Sequence, residues 1–92
     1  MKLFHGTPER NARCIEDEGF LGSEKTTFTS KGRGAGEVVF VTTDISEARE
    51  YGVAVFEIRN VTMHRIPNAQ SRNEGYVTLA DLSENGNWER VE

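Results

Sequence analysis

The run Val38-Val39-Phe40-Val41-Thr42 is almost continuously apolar and β-branched, and it constrains the fold more than any other segment. A strand of that composition is buried on both faces, so it belongs inside a sheet that is covered on both sides. A chain of 92 residues has room for one hydrophobic core around such a strand, because a second core would leave each half too small to bury its share of apolar surface. Residues 1–92 are therefore expected to form a single domain. Hydrophobic residues make up 36% and charged residues 28%, close to ordinary globular usage, which argues against wholesale disorder.

The rest of the chain arranges itself around that strand. Residues 2–5 form a strand candidate running into Gly6-Thr7-Pro8, where Thr7 suits a helix cap and Pro8 the first helical turn. A helix is expected over 8–18, with Glu9 near its N-terminus, Ala12 and Ile15 on one face, and Gly19 ending it in a left-handed conformation. Phe20 and Leu21 then fold back over the apolar face. Residues 22–37 read as a long loop with a short strand at 27–29. Asp44-Ile45-Ser46-Glu47 reads as a capping box, opening a helix over 45–51 that Gly52 stops and that sets Ile45, Ala48 and Tyr51 on one side.

Further on, residues 53–61 alternate as a second long strand, with Ala54, Phe56 and Ile58 on one face and Glu57 and Arg59 on the other. A polar loop over 68–73 leads to Glu74, at the edge of a strand over 76–79. Asn85-Gly86 is a type I′ hairpin signal that pairs a segment near Leu82 with 88–91 and makes Trp88 a hairpin core residue. The fold class is α+β with two short helices.

Several function classes are excluded early. A net charge of −4 argues against general attraction to a polyanion. Lys25, Lys31 and Arg33 stand among glycines and hydroxyl residues, a segment that reads either as a phosphate contact or as a solvated loop. Gly32, Gly34 and Gly36 alternate without the strand and helix that frame a dinucleotide fingerprint. Cys14 is the sole cysteine, which excludes an intrachain disulfide, a Cys-rich zinc site and a CxxC pair, and it reads as a small buried hydrophobe. His64 has no partner at metal-ligand spacing, so no metal is expected. No apolar run approaches the roughly 18 residues that cross a bilayer, and the N-terminus lacks a secretory stretch. The expectation is a cytoplasmic monomer without a membrane partner.

A set of motifs falls in a meaningful order: Phe4-His5-Gly6-Thr7, Ile15 with Gly19-Phe20, Val39-Phe40-Val41-Thr42-Thr43, Ala48-Arg49-Glu50-Tyr51-Gly52, and Glu74-Gly75-Tyr76-Val77. Together they resemble the ADP-ribosyltransferase superfamily, in its His-Tyr-Glu branch that includes diphtheria-type toxins and poly(ADP-ribose) polymerases. The resemblance covers most of the chain and implies a small split-sheet ADP-ribosyltransferase-like fold, with NAD as co-substrate bound between two small sheets.

What the resemblance implies can be matched to chemical need. Splitting NAD between nicotinamide and ribose requires a grip on the carboxamide, oriented ribose hydroxyls and stabilisation of a cationic, oxocarbenium-like centre. The resemblance assigns the carboxamide to the Gly6 backbone, a ribose hydroxyl to His5, a second hydroxyl contact to Thr7, and ring stacking to Tyr51. Thr42 and Ala48 complete the NAD contacts, Ala48 standing where many relatives carry a serine. The resemblance makes Glu74 the catalytic carboxylate, with His5 and Tyr51 as its catalytic partners; by residue type alone Glu57 and Glu37 are alternatives. The implied reaction passes ADP-ribose to a macromolecule, protein ahead of nucleic acid, as in a toxin or bacteriophage effector. The rivals are a non-catalytic nucleotide-binding or protein-interaction module on the same fold, and an RNA 2′-phosphotransferase, for which this acidic chain offers few basic residues. Read without the resemblance, His5 is a strand-end histidine bonded to a neighbouring turn, and Tyr51 a core aromatic.

Overall fold

The computed structural model describes residues 2–20, 38–66 and 71–92. The expected loop over 22–37, its strand at 27–29, its basic and glycine positions, Leu21, Glu37 and residues 67–70 lie outside them. Among the described residues the order is β1 (Leu3–Thr7), α1 (Glu9–Glu18), β2 (Val38–Thr42), α2 (Ile45–Arg49), β3 (Ala54–Arg59), β4 (His64–Arg65), β5 (Glu74–Thr78), α3 (Leu79–Asn85) and β6 (Asn87–Arg90). The six strands form one sheet in the order β4-β5-β2-β1-β3-β6, and every neighbouring pair is antiparallel. The α+β class and the central place of Val38–Thr42 thus stand.

One face of this sheet carries the core. Strand alternation sends Leu3, Val39, Val41, Ala54, Phe56, Ile58 and Val77 into one cluster, where Ala12 and Ile15 of α1 and Leu82 of α3 cover them. Phe20 packs edge-on against both Phe56 and Trp88, with ring centroids 5.5 and 5.2 Å away. Arg90 of β6 fastens α1 to the far edge through Glu9 and Glu16. The reverse face carries α2, which lies against β1 almost backbone to backbone. A Cβ at Gly6 would stand 1.7 Å from the Ala48 carbonyl oxygen, and one at Gly52 would stand 2.1 Å from the Thr7 carbonyl carbon. Only residues without a side chain permit that approach.

The sheet is one continuous sheet, not two, but its seam between β1 and β2 is narrow. Against β3, β1 keeps register over all five of its residues; against β2 the register holds at Phe4 opposite Thr42 alone. Several local expectations are corrected. Thr7 is not a helix cap: it is buried as the last residue of β1, opposite Ala54, and Pro8 takes the N-cap position with no side-chain hydrogen bond. The capping box does not form either, since Asp44 accepts from Ser46 N at 2.8 Å and the Glu47 side chain turns elsewhere. Helix α2 stops at Arg49, leaving Tyr51 just beyond it, and the second long strand is trimmed to Ala54–Arg59.

The largest correction concerns the C-terminal third. β5 begins at Glu74 itself and ends at Thr78, after which α3, a third helix, replaces the expected hairpin. Thr78 accepts from Asp81 N at 3.2 Å and caps α3. Asn85-Gly86 closes that helix, and Gly86 at φ −78° lacks the positive φ that a type I′ turn demands. β6 pairs with β3, opposite Ile58 at Trp88, rather than with any segment near Leu82. The short strand β4 was not anticipated. Cys14 is exposed, because α1 turns Ala12 and Ile15 to the sheet and leaves position 14 outside.

Candidate functional site

Where β1 parts from β2 a cavity of about 360 Å³ opens, bordered by His5, Gly6, Thr42, Ala48, Tyr51 and Glu74 among others. Residues from both faces of the sheet reach it: Phe4, Gly6 and Thr42 from the α2 side, His5 and Val41 from the core side. Phe4, Phe40, Val41 and Ile66 make its wall largely apolar, and among the described residues that line it none is lysine or arginine. Its size and its few polar groups suit a small ligand with an apolar body. Of the sequence-derived site residues only Thr7 is left out.

Gly6 is aimed at this opening by strand register. Its partner Val55 spends its own N–H and C=O on the C-terminal segment, donating to Glu92 O at 3.0 Å and accepting from Val91 N at 2.8 Å. In an antiparallel ladder, opposed residues point their backbone groups the same way relative to each other, either both inward or both outward. The N–H and C=O of Gly6 therefore face away from β3, toward β2, two residues beyond the last β1–β2 register pair. The missing Cβ is explained by the close packing of the Ala48 backbone.

His5 fills part of the seam. Its Nδ1 lies 2.7 Å from Phe40 O, a long-range bond where a backbone ladder would otherwise continue, and its ring meets Phe20 edge-on at 5.4 Å. A carbonyl oxygen only accepts, so Nδ1 carries the proton and Nε2 is left as an acceptor in the neutral ring. Burial pushes the His5 pKa down, and the Phe40 bond opposes that shift without cancelling it. Burial thus favours the neutral ring, the Phe40 bond anchors it in one tautomer as it would a structural residue, and among the described residues Nε2 has no hydrogen-bond partner.

Tyr51 and Glu74 meet across the mouth. The short helix α2 and the start of β5 bring the Tyr51 hydroxyl to 2.9 Å from Glu74 Oε1, to which it donates. That bond, with burial and the Glu74 charge behind it, raises the Tyr51 pKa above the ordinary phenol value. Tyr51 is 59% exposed, so it is a rim residue and no core aromatic. Glu74 sits opposite Thr42 in register, which fixes the carboxylate on the α2 side of the sheet. Glu57 is occupied elsewhere, near Lys2 and Arg59 on β3, and does not border the cavity.

Sequence reading missed a second carboxylate. Glu47 accepts from Thr42 Oγ1 at 3.3 Å and from Ser71 Oγ at 2.9 Å, which links α2 to the turn before Glu74. Its only signal was the spacing from Asp44, and that spacing was assigned to capping. Among the described residues, no cluster of three or more His, Cys, Asp or Glu side chains is arranged to hold a metal ion, and no helix is long and apolar enough to cross a membrane. Compared with known proteins, the chain matches no family model, no curated protein and no solved structure.

Proposed function

We propose that this chain is a minimal ADP-ribosyltransferase-like enzyme, its single sheet, parted only at the β1–β2 seam, a variant of that split-sheet fold, which takes NAD and passes ADP-ribose to a macromolecular acceptor. The observation that carries the reading is convergence. Gly6 from β1, Tyr51 from beyond α2 and Glu74 from β5 are far apart in sequence, yet they border one cavity. NAD, when bound, supplies the glycosidic bond that breaks. The residues then have distinct tasks: the Gly6 N–H and C=O pair with an amide, the exposed ring of Tyr51 stacks on a flat ring, and Nε2 of His5 accepts from a hydroxyl.

Glu74 supplies the electrostatics. A carboxylate beside the anomeric carbon favours positive charge developing there, and it accepts from a ribose hydroxyl in place of the Tyr51 phenol. The Glu74 carboxylate in the described lining fits a neutral or cationic ring in the cavity. The acceptor is protein ahead of nucleic acid, in keeping with the net charge of −4.

The test is mass spectrometry of cell extract incubated with labelled NAD and the protein, beside Glu74→Gln. The reading expects free nicotinamide and added ADP-ribose mass with the native chain, and neither with Glu74→Gln, which should still be stabilised thermally by NAD. Thermal stabilisation of both proteins without any nicotinamide release would instead identify a non-catalytic binding module. No stabilisation and no release would remove NAD from consideration.

A further inference from the structure

We infer that Glu47 is the positioning residue of this site, the group that holds Glu74 within reach of Tyr51 by tying the turn before β5 to helix α2. The inference rests on reading Tyr51 and Glu74 as a functional pair. Glu47 lies within α2 and Tyr51 two residues past its end, so one short element carries both. Each grips one end of the same short turn. Glu47 takes Ser71 at its start, the Ser71 hydroxyl donating to both carboxylate oxygens, and Tyr51 takes Glu74 at its end.

The turn between these grips is itself stiffened. Asn73 N donates to Ser71 Oγ at 3.1 Å, Glu74 N to Ser71 O at 3.4 Å, and Thr43 N to Asn73 O at 2.9 Å. Beneath it, Thr42 Oγ1 donates to Glu47 Oε2 and accepts from Asp44 N, so the end of β2 joins the same network. The result is a closed ring of contacts: α2, Glu47, Ser71, the turn, Glu74, Tyr51, and α2 again. An exposed carboxylate in the first turn of a helix gains from the helix dipole without any hydroxyl partner. Two hydroxyls converging on Glu47 from two other elements point to a tie. Glu47 is not among the described residues that line the cavity; it acts through Glu74.

The experiment reads the Tyr51 phenol by ultraviolet titration in a Tyr76→Phe background, since these are the two tyrosines of the chain. The groups that raise Tyr51 are Glu74, by its hydrogen bond first, then burial, then the charges of Glu74, Glu47 and Glu50. Because the Glu47 charge itself contributes, Ser71→Ala is the deciding variant: it cuts the tie and leaves every charge in place. The expected result is that Ser71→Ala brings the Tyr51 midpoint down toward that of Glu74→Gln, that Ser71→Thr, which keeps the hydroxyl, restores it, and that native circular dichroism persists throughout.

Two results would overturn the inference. In one, Ser71→Ala leaves Tyr51 at the native midpoint while Glu47→Gln lowers it, so that Glu47 acts by charge alone. In the other, Ser71→Ala no longer folds, so that the tie holds the domain rather than the pair. The titration needs no NAD, and absence of NAD turnover in the native chain would sink the proposed enzyme while leaving this result to stand or fall separately.

Discussion

Strand β1 has two edges, and they are built differently. Toward β3 it keeps register from Leu3 opposite Ile58 to Thr7 opposite Ala54, over a layer in which Leu3, Ala54, Phe56 and Ile58 are fully buried. Toward β2 it keeps register at one point and then parts, and a histidine ring and a cavity take the place of the ladder. The closed edge supplies the rigidity that the open edge lacks. At the open seam α2, through Gly6 and Gly52, clamps β1 from the reverse face. The contrast predicts that changes on the closed side act on stability and changes on the open side act on binding.

The largest effect is expected at the centre of the closed side. Phe56 is fully buried, and Phe56→Ala should lower the free energy of unfolding by about 3–5 kcal/mol in denaturant titration. A smaller loss would mean that the layer under β3 packs more loosely than its burial implies. Next comes the clamp. Gly6→Ala puts a methyl into the Ala48 carbonyl, so α2 must shift, at a cost of about 1–3 kcal/mol for overpacking. Unlike Phe56→Ala, it should also disturb the Tyr51–Glu74 bond, visible as a lowered phenol titration midpoint in the protein that remains folded.

A pH experiment sharpens the comparison at the seam itself. Burial holds the pKa of His5 below the value of 6.5 that it regains on unfolding. The unfolded chain therefore binds the proton first, and His5 makes stability fall as pH drops from about 6.5 toward the lowered folded value, below which its contribution levels off. Above that window it contributes no slope. Unfolding midpoints of native protein and His5→Gln should diverge in their pH dependence there, and parallel curves would show that the ring is not desolvated. The smallest effect is expected for Tyr51→Phe. This rim residue should change stability by no more than about 0.5 kcal/mol while weakening ligand binding.

The two edges also differ in how far the sequence disclosed them. Val38–Thr42 was legible to the residue, because a continuous β-branched run has few other homes. α3 was not, although Thr78 and Asp81 carried its cap, because Asn85-Gly86 signals both a hairpin and a helix end and only tertiary contact chooses between them. Thr7 looked like a cap because Pro8 follows it, and strand pairing with Ala54 overrode that local preference. His5, Gly6, Tyr51 and Glu74 were found through the order of motifs, not through any periodicity. The Glu47–Ser71 tie spans 24 residues and leaves no local pattern to read.

The account turns on whether the open seam is where a ligand sits. Amide NMR of the isotope-labelled chain, titrated with NAD, addresses this residue by residue. The expected result is saturable movement of the Gly6, Thr42, Tyr51 and Glu74 signals, with β6 and the exposed face of α1 unmoved. Saturable movement centred on β6 or α1, with Gly6 and Tyr51 silent, would contradict it.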